Sequence, residues 1–226
     1  MQLPDDAIDL APEDLALFLL EDVLRARSNG PGWFNYVNVA RGLEQQSPER
    51  AIAVAEAWAW LIREGLVVPA PDTGWYRASR RGATIKTRDD MQAFVRARLL
   101  PRAQMHAAIL TASSALFAKG QYDTAVFAAF REIEISVRTA AGLDGTHLGE
   151  KLMRTAFNAE TGPLCDKSVQ ISEREALCHL FAGAIGRYRN STGHRRVNLG
   201  AEETVEILML ASHLMRIVDS RPSVSA

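Results

Sequence analysis

The chain is short of several things, and each shortage excludes something. It has only two cysteines, Cys165 and Cys178, with no Cys-x-x-Cys spacing. That removes a disulfide framework and a zinc ribbon, and predicts buried free thiols in a reducing compartment. No apolar run approaches the roughly 20 residues that cross a bilayer, and Met1-Gln2-Leu3-Pro4-Asp5-Asp6 has no basic segment leading into an apolar one. The expectation is a cytoplasmic protein with no membrane partner. Net charge is −1, so any nucleic-acid binding must come from local patches. Internal repeats and low-complexity tracts are missing. With 47% apolar residues in 226, the chain can still bury one large core or two small ones.

The first third shows alternating helix and breaker signals. Pro12 opens a helix carrying Leu15, Phe18, Leu19, Val23 and Ala26, which ends before Ser28-Asn29-Gly30-Pro31-Gly32. Trp33-Phe34-Asn35-Tyr36 leads into a short second helix to Gln45. Ser47 as N-cap and Pro48 at the first helical position open a third, which ends at Glu64-Gly65. Its Ile52, Ala55, Trp58, Ala59 and Ile62 predict one apolar stripe. Leu66-Val67-Val68 and Trp75-Tyr76-Arg77-Ala78, separated by a Pro/Gly turn, predict a hairpin. Three helices and a hairpin give the order of a winged helix-turn-helix over residues 1–88. Such modules contact DNA or protein. The third helix offers outward Arg50 and Arg63 against Glu49, Glu56 and Glu64, a poor match for phosphates. Residues 89–102 are expected as a basic linker and helix start.

Residues 103–220 are expected to be helical throughout, with 221–226 as a tail. Pro101 opens a helix to Lys119; Gln121 or Asp123 opens one to Ala141; Thr146 opens one to Phe157. Ser172-Glu173-Arg174-Glu175 has the form of a capping box and starts a fourth, reaching Tyr188. Glu202 to Asp219 makes the last. The fold class is therefore mostly α, a helical bundle preceded by a small winged-helix-like module with one hairpin.

The chemistry gathers where the fourth helix meets Ser191-Thr192-Gly193. Arg189-Asn190-x-x-x-His194 lies there, with Arg187, Arg195 and Arg196 beside it. Glycine and two small polar residues permit the helix to open, so Arg189 and His194 can face one pocket. The competing reading is that these arginines complement the helix dipole and His194 is a surface residue. A decoy, Arg174 and His179, has the same spacing within a helix. Five residues there turn about 500°, which leaves the two side chains about 140° apart.

The C-terminal half, from Leu110 to Val218, resembles the HEPN superfamily of helical ribonucleases and nucleotide-binding domains, in particular its Ymh-type bacterial and prophage proteins. The resemblance is carried by Gln121-Tyr122-Asp123-x-Ala125-Val126-x-x-Ala129-Phe130-Arg131-x-Ile133-Glu134, by Gly183-Ala184-Ile185-Gly186 and by Arg189-Asn190-x-x-x-His194. It implies a homodimeric bundle with two such motifs facing each other, and metal-independent endonucleolytic cleavage of RNA. Many HEPN proteins act as toxins or in phage defence.

On that reading Arg189, Asn190 and His194 are the catalytic set and Arg187, Arg195 and Arg196 bind the substrate backbone, with no metal and no cofactor. Histidine suits proton transfer near neutrality, and the guanidinium fork suits a phosphorane. Glu132 and Glu134 are weighed as carboxylates that orient the histidine, against the commoner reading of exposed helix charges. The other class of function is a non-catalytic nucleic-acid-binding regulator or antitoxin acting through the winged helix, or a dimerisation scaffold.

Overall fold

The computed structural model describes residues 3–29, 33–71, 74–190 and 198–221, with backbone alone for 27–29 and 190. The chain forms two compact units, Met1–Val95 and Arg96–Ala226.

In the first unit the order is α1 (Pro12–Asn29), β1 (Phe34–Asn35), α2 (Tyr36–Gln46), α3 (Pro48–Arg63), β2 (Val67–Pro69), β3 (Trp75–Ala78) and α4 (Arg88–Ala97). The strands form an antiparallel sheet in the order β1-β3-β2, with Phe34 opposite Tyr76 and Val67 opposite Ala78. This is the helix and strand order of a winged helix, with a short first strand beyond the expected hairpin. Ser47 caps α3 as expected, its hydroxyl accepting from the Arg50 amide at 3.5 Å, with Pro48 in the first turn. The helix ends where Gly65 takes φ 66°, so that the Leu66 amide donates back to the Leu61 carbonyl at 3.0 Å. Gly82 has a different constraint: a Cβ there would lie 2.1 Å from the Leu66 carbonyl oxygen.

The core of this unit comes from Leu15, Leu19, Leu20 and Val23 of α1 against Val54, Ala57, Trp58 and Leu61 of α3. Trp58 stacks on Tyr36 at 4.6 Å and meets Tyr76 edge-on at 5.0 Å. The expected stripe on α3 therefore divides. Trp58 turns inward, while Ile52, Ala55, Ala59 and Ile62 are exposed. The inner face is the one that meets α1. A second difference concerns the expected linker. Met91 of α4 is buried, and Phe94 and Val95 pack on the same core, so residues 89–95 belong to the first unit, while Leu100 packs in the core of the second. Trp60 and Phe94 meet edge-on at 6.2 Å.

The second unit contains α5 (Ala107–Ala118), α6 (Tyr122–Ala140), α7 (Gly149–Ala156), α8 (Ile171–Ile185), a π-helical turn (Gly186–Asn190) and α9 (Ala201–Asp219). Here the core is a single cluster that includes Ile109, Phe117, Phe130, Ile133, Phe181 and Leu208. Several helix starts differ from expectation for local reasons. His106, not Pro101, caps α5: its Nδ1 accepts from the Ala108 amide at 3.2 Å, while Nε2 lies 2.8 Å from Asp219 Oδ2. Helix α7 starts at Gly149 because Asp144 Oδ1 accepts from the Thr146 amide at 3.0 Å and the Thr146 hydroxyl at 2.5 Å. This Asx turn keeps 144–147 out of the helix. The capping box does not form, since Gln170 occupies the cap position of α8 and Ser172 falls inside its first turn. Cys178 is buried and Cys165 half-buried, both as free thiols; burial, the leading influence, pushes the Cys178 thiol up.

Candidate functional site

The candidate site begins with a charge on the wrong face of a helix. Along α6, Val126, Phe130, Ile133 and Val137 recur at helical spacing and are fully buried. Glu134 lies on that same inner face and is only 2% exposed. An isolated buried carboxylate is costly unless it is paired. This one is paired twice. Arg138, one turn along, donates through Nη2 to Glu134 Oε1 at 2.7 Å. Arg189 places its Nε 2.7 Å from Glu134 Oε2. The second contact is ionic, since the N–H is not well aimed at the oxygen. Arg138 is held in turn by its Nε, which donates to the His147 carbonyl at 3.2 Å.

Arg189 reaches Glu134 from the π-helical turn. Regular α-helix stops at Ile185, and wider turns run from Gly186 to Asn190. A π-turn inserts a residue into the helical register, rotates the residues beyond it, and is often found at functional sites. The sequence placed the break at Ser191–Gly193; the change in winding starts five residues earlier, at Gly186. Two contacts fix the turn. Tyr188 packs on Phe130, ring centroids 5.1 Å apart. Glu150 of α7 lies against Gly186, where an added Cβ would come within 2.4 Å of Glu150 Oε1.

The structure thus brings Arg189 together with Glu134 and Arg138, and it places Arg187 one position before Tyr188 with its side chain exposed. The Asn190 backbone ends the π-turn, and its side chain is not among those described. His194, Arg195 and Arg196 lie outside the described residues. The sequence does not single out Arg138, and for Glu134 it offers two readings, a carboxylate facing the basic cluster and an exposed helix charge; Glu134 is buried against Arg189. Both were within reach of pattern reasoning: Glu134 sits in the apolar stripe of α6, and Arg138 succeeds it at the i,i+4 spacing of an ion pair. Arg174, half of the decoy pair, donates to the Ala159 carbonyl at 2.8 Å, and His179 is exposed on α8.

Next to this cluster, α8 leaves Ala176, Leu180 and Gly183 exposed along one side. Leu180 is 42% exposed. Gly183 has open space where a Cβ would stand, so another backbone could approach there closely. Beside α7 lies an open depression of about 720 Å³ lined by Glu150, Lys151, Arg154 and Asn158, among others. Among the described residues no group of three or more His, Cys, Asp or Glu side chains could hold a metal ion, and no helix is long and apolar enough to cross a membrane.

A family model described as "Protein of unknown function (Hypoth_ymh)" matches residues 103–218, just over half of the chain and almost all of the second unit. The chain belongs to the Hypoth_Ymh family. No curated protein and no solved structure matches it. The matched span contains Glu134, Arg138, the π-turn and the whole Arg189-Asn190-x-x-x-His194 segment.

Proposed function

We propose that this Hypoth_Ymh protein is a metal-independent endoribonuclease of the HEPN type, active as a homodimer. The observation that carries the reading is the clamp on Arg189. An arginine held by ion pairing to a buried carboxylate, itself hydrogen-bonded to Arg138, has its charge placed before substrate arrives. Preorganised charge of this kind stabilises a transition state without reorganisation cost. Glu134 and Arg138 are positioning residues in this scheme, since they act through Arg189.

The chemistry needs no metal. The ribose 2′-hydroxyl attacks the adjacent phosphorus, the bond to the 5′-oxygen breaks, and a 2′,3′-cyclic phosphate forms. His194 of one chain takes the 2′-hydroxyl proton, and His194 of the second chain gives a proton to the departing 5′-oxygen. Arg189 donates to the non-bridging oxygens as charge builds, and Asn190 orients the imidazole or a phosphate oxygen. Arg187, Arg195 and Arg196 bind the flanking RNA backbone. The exposed small side of α8, continuous with the π-turn, suits the close approach of a second copy. Such an enzyme would work in the cytoplasm, as a toxin or a phage-defence effector.

Single-stranded RNA incubated with the protein in excess chelator tests the reading. Cleavage should occur, should fall at least about 100-fold in His194→Ala, and should fail on a substrate with a 2′-deoxy group at the scissile position. Cleavage that needs added divalent metal, or that survives His194→Ala, overturns it. A regulator that reads DNA through α3 finds less support, because the outer face of that helix is aliphatic and acidic.

A further inference from the structure

The exposed face of α3 has a symmetry of its own. Ile52, Ala55, Ala59 and Ile62 run large, small, small, large, with gaps of three, four and three residues. Reversing the helix about Ala57 returns the same order. At 100° per residue all four fall within an arc of about 80°. Ile52 is 62% and Ile62 43% exposed, a high figure for isoleucine, and both alanines are exposed with them. Exposed isoleucines in a row are the informative exception to ordinary burial.

The charges beside the stripe obey the same reversal. The Arg63 side chain is 69% exposed although its Nε donates to the buried Glu64 Oε1 at 3.1 Å, which leaves the rest of the guanidinium facing outward. Glu49 is exposed on the same flank. If two α3 helices pack antiparallel about a two-fold axis at Ala57, Arg63 of one copy falls within about 3 Å, measured along the helix axis, of Glu49 of the other. The contact occurs twice. Alanines at the centre let the backbones come close, and the isoleucines close both ends. Glu56 of each copy lies near the axis, a like-charge pair that keeps the association modest.

We propose that α3 docks on α3 of a second copy of this chain, antiparallel, with Ala55 of one against Ala59 of the other. A two-fold interface joins a patch to itself and so requires self-complementarity; a foreign partner would not call for a palindrome. Duplex DNA would want cations where this face has Glu49 and Glu56. The contact is independent of the nuclease reading and uses the other unit of the chain.

Cysteine pairing in the full-length protein tests it. Ala55→Cys and Ala59→Cys are made separately, given different tags, mixed and mildly oxidised; the parent chain, with Cys165 and Cys178, supplies the background. The mixed disulfide should exceed either like-with-like product several-fold. Arg63→Glu in both chains should cut the mixed yield several-fold, and adding Glu49→Arg should restore it. All four sites are exposed, but Arg63 also pairs with the buried Glu64, so Glu49→Arg alone, which should cut the mixed yield as Arg63→Glu does, is made beside it. Unchanged far-UV circular dichroism verifies the folding of each variant. Linkage at background level, an excess of like-with-like product, or a yield that ignores Arg63→Glu overturns the proposal. Background linkage together with a duplex-DNA gel shift lost in Arg63→Glu would assign the face to DNA.

Discussion

Helices α3 and α6 break the same rule in opposite directions. In α3 two isoleucines stay in water while Val54, Trp58 and Leu61 fill the core. In α6 a glutamate goes into the core while Ile135 stays 40% exposed. The two inversions differ in cost. Exposed isoleucine forgoes a favourable burial term and leaves the fold intact, whereas buried glutamate is tolerable only while its arginines stay in place. An exposed apolar stripe is therefore a surface awaiting a partner. A buried charge is held only with its partners in place, and this one holds Arg138 and Arg189.

The tryptophans allow the two units to be monitored separately. All four, Trp33, Trp58, Trp60 and Trp75, lie in the first unit, so their fluorescence reports it alone, while far-UV circular dichroism reports both. The largest effect is expected for Glu134→Ala, which strands Arg138 and Arg189. Breaking a buried ion pair costs about 3–5 kcal/mol, so the circular dichroism transition in urea should move well down while the fluorescence transition stays put. A shift below about 1 kcal/mol would mean that the clamp stores little energy. Next comes Ser47→Ala, which removes the α3 cap. It should cost about 1 kcal/mol and move the fluorescence transition, with only the first unit's share of the circular dichroism change following it.

A smaller effect, confined to acid, is expected at Asp166. The Ser168 hydroxyl and amide, then Arg221 at 2.8 Å, pull its carboxyl from the ordinary 3.8 down to about 2. The folded value lies below the unfolded one, so the contribution is present above about pH 4 and is lost as pH falls towards 2. In Asp166→Asn the fall of Tm between about pH 4 and pH 2 should be shallower than in the parent. The smallest effect belongs to Ile52→Ser with Ile62→Ser. Monomer stability should change by less than about 0.5 kcal/mol per site, in contrast to Glu134→Ala. A large loss would mean that the outer stripe is structural after all.

Much of the local architecture arises from short-range chemistry. Ser47 and Pro48 favour a helix start through a cap and a preset φ, and Gly65 and Gly142, at φ 66° and 63°, end helices through a backbone conformation that side-chain-bearing residues resist. Breakers between apolar runs gave the winged-helix order for the same reason. The misplaced starts of α5 and α7 depended on His106 and Asp144, residues whose capping is decided by a single hydrogen bond that composition does not reveal.

The amino-acid sequence by itself determined most of the order of helices and strands and which residues carry charge near the motif, because propensities, caps and turns act over a few residues. Only the tertiary structure decided which way α3 and α6 face. Helix α3 carries two apolar stripes, one through Val54, Ala57 and Leu61 and one through Ile52, Ala59 and Ile62, and packing against α1 selects the first. Glu134 stays in the core with two partners, Arg138 one turn along α6 and Arg189, which arrives from 55 positions along the chain. A periodic pattern can show that a helix has a face; the elements packed around it determine whether that face is inside.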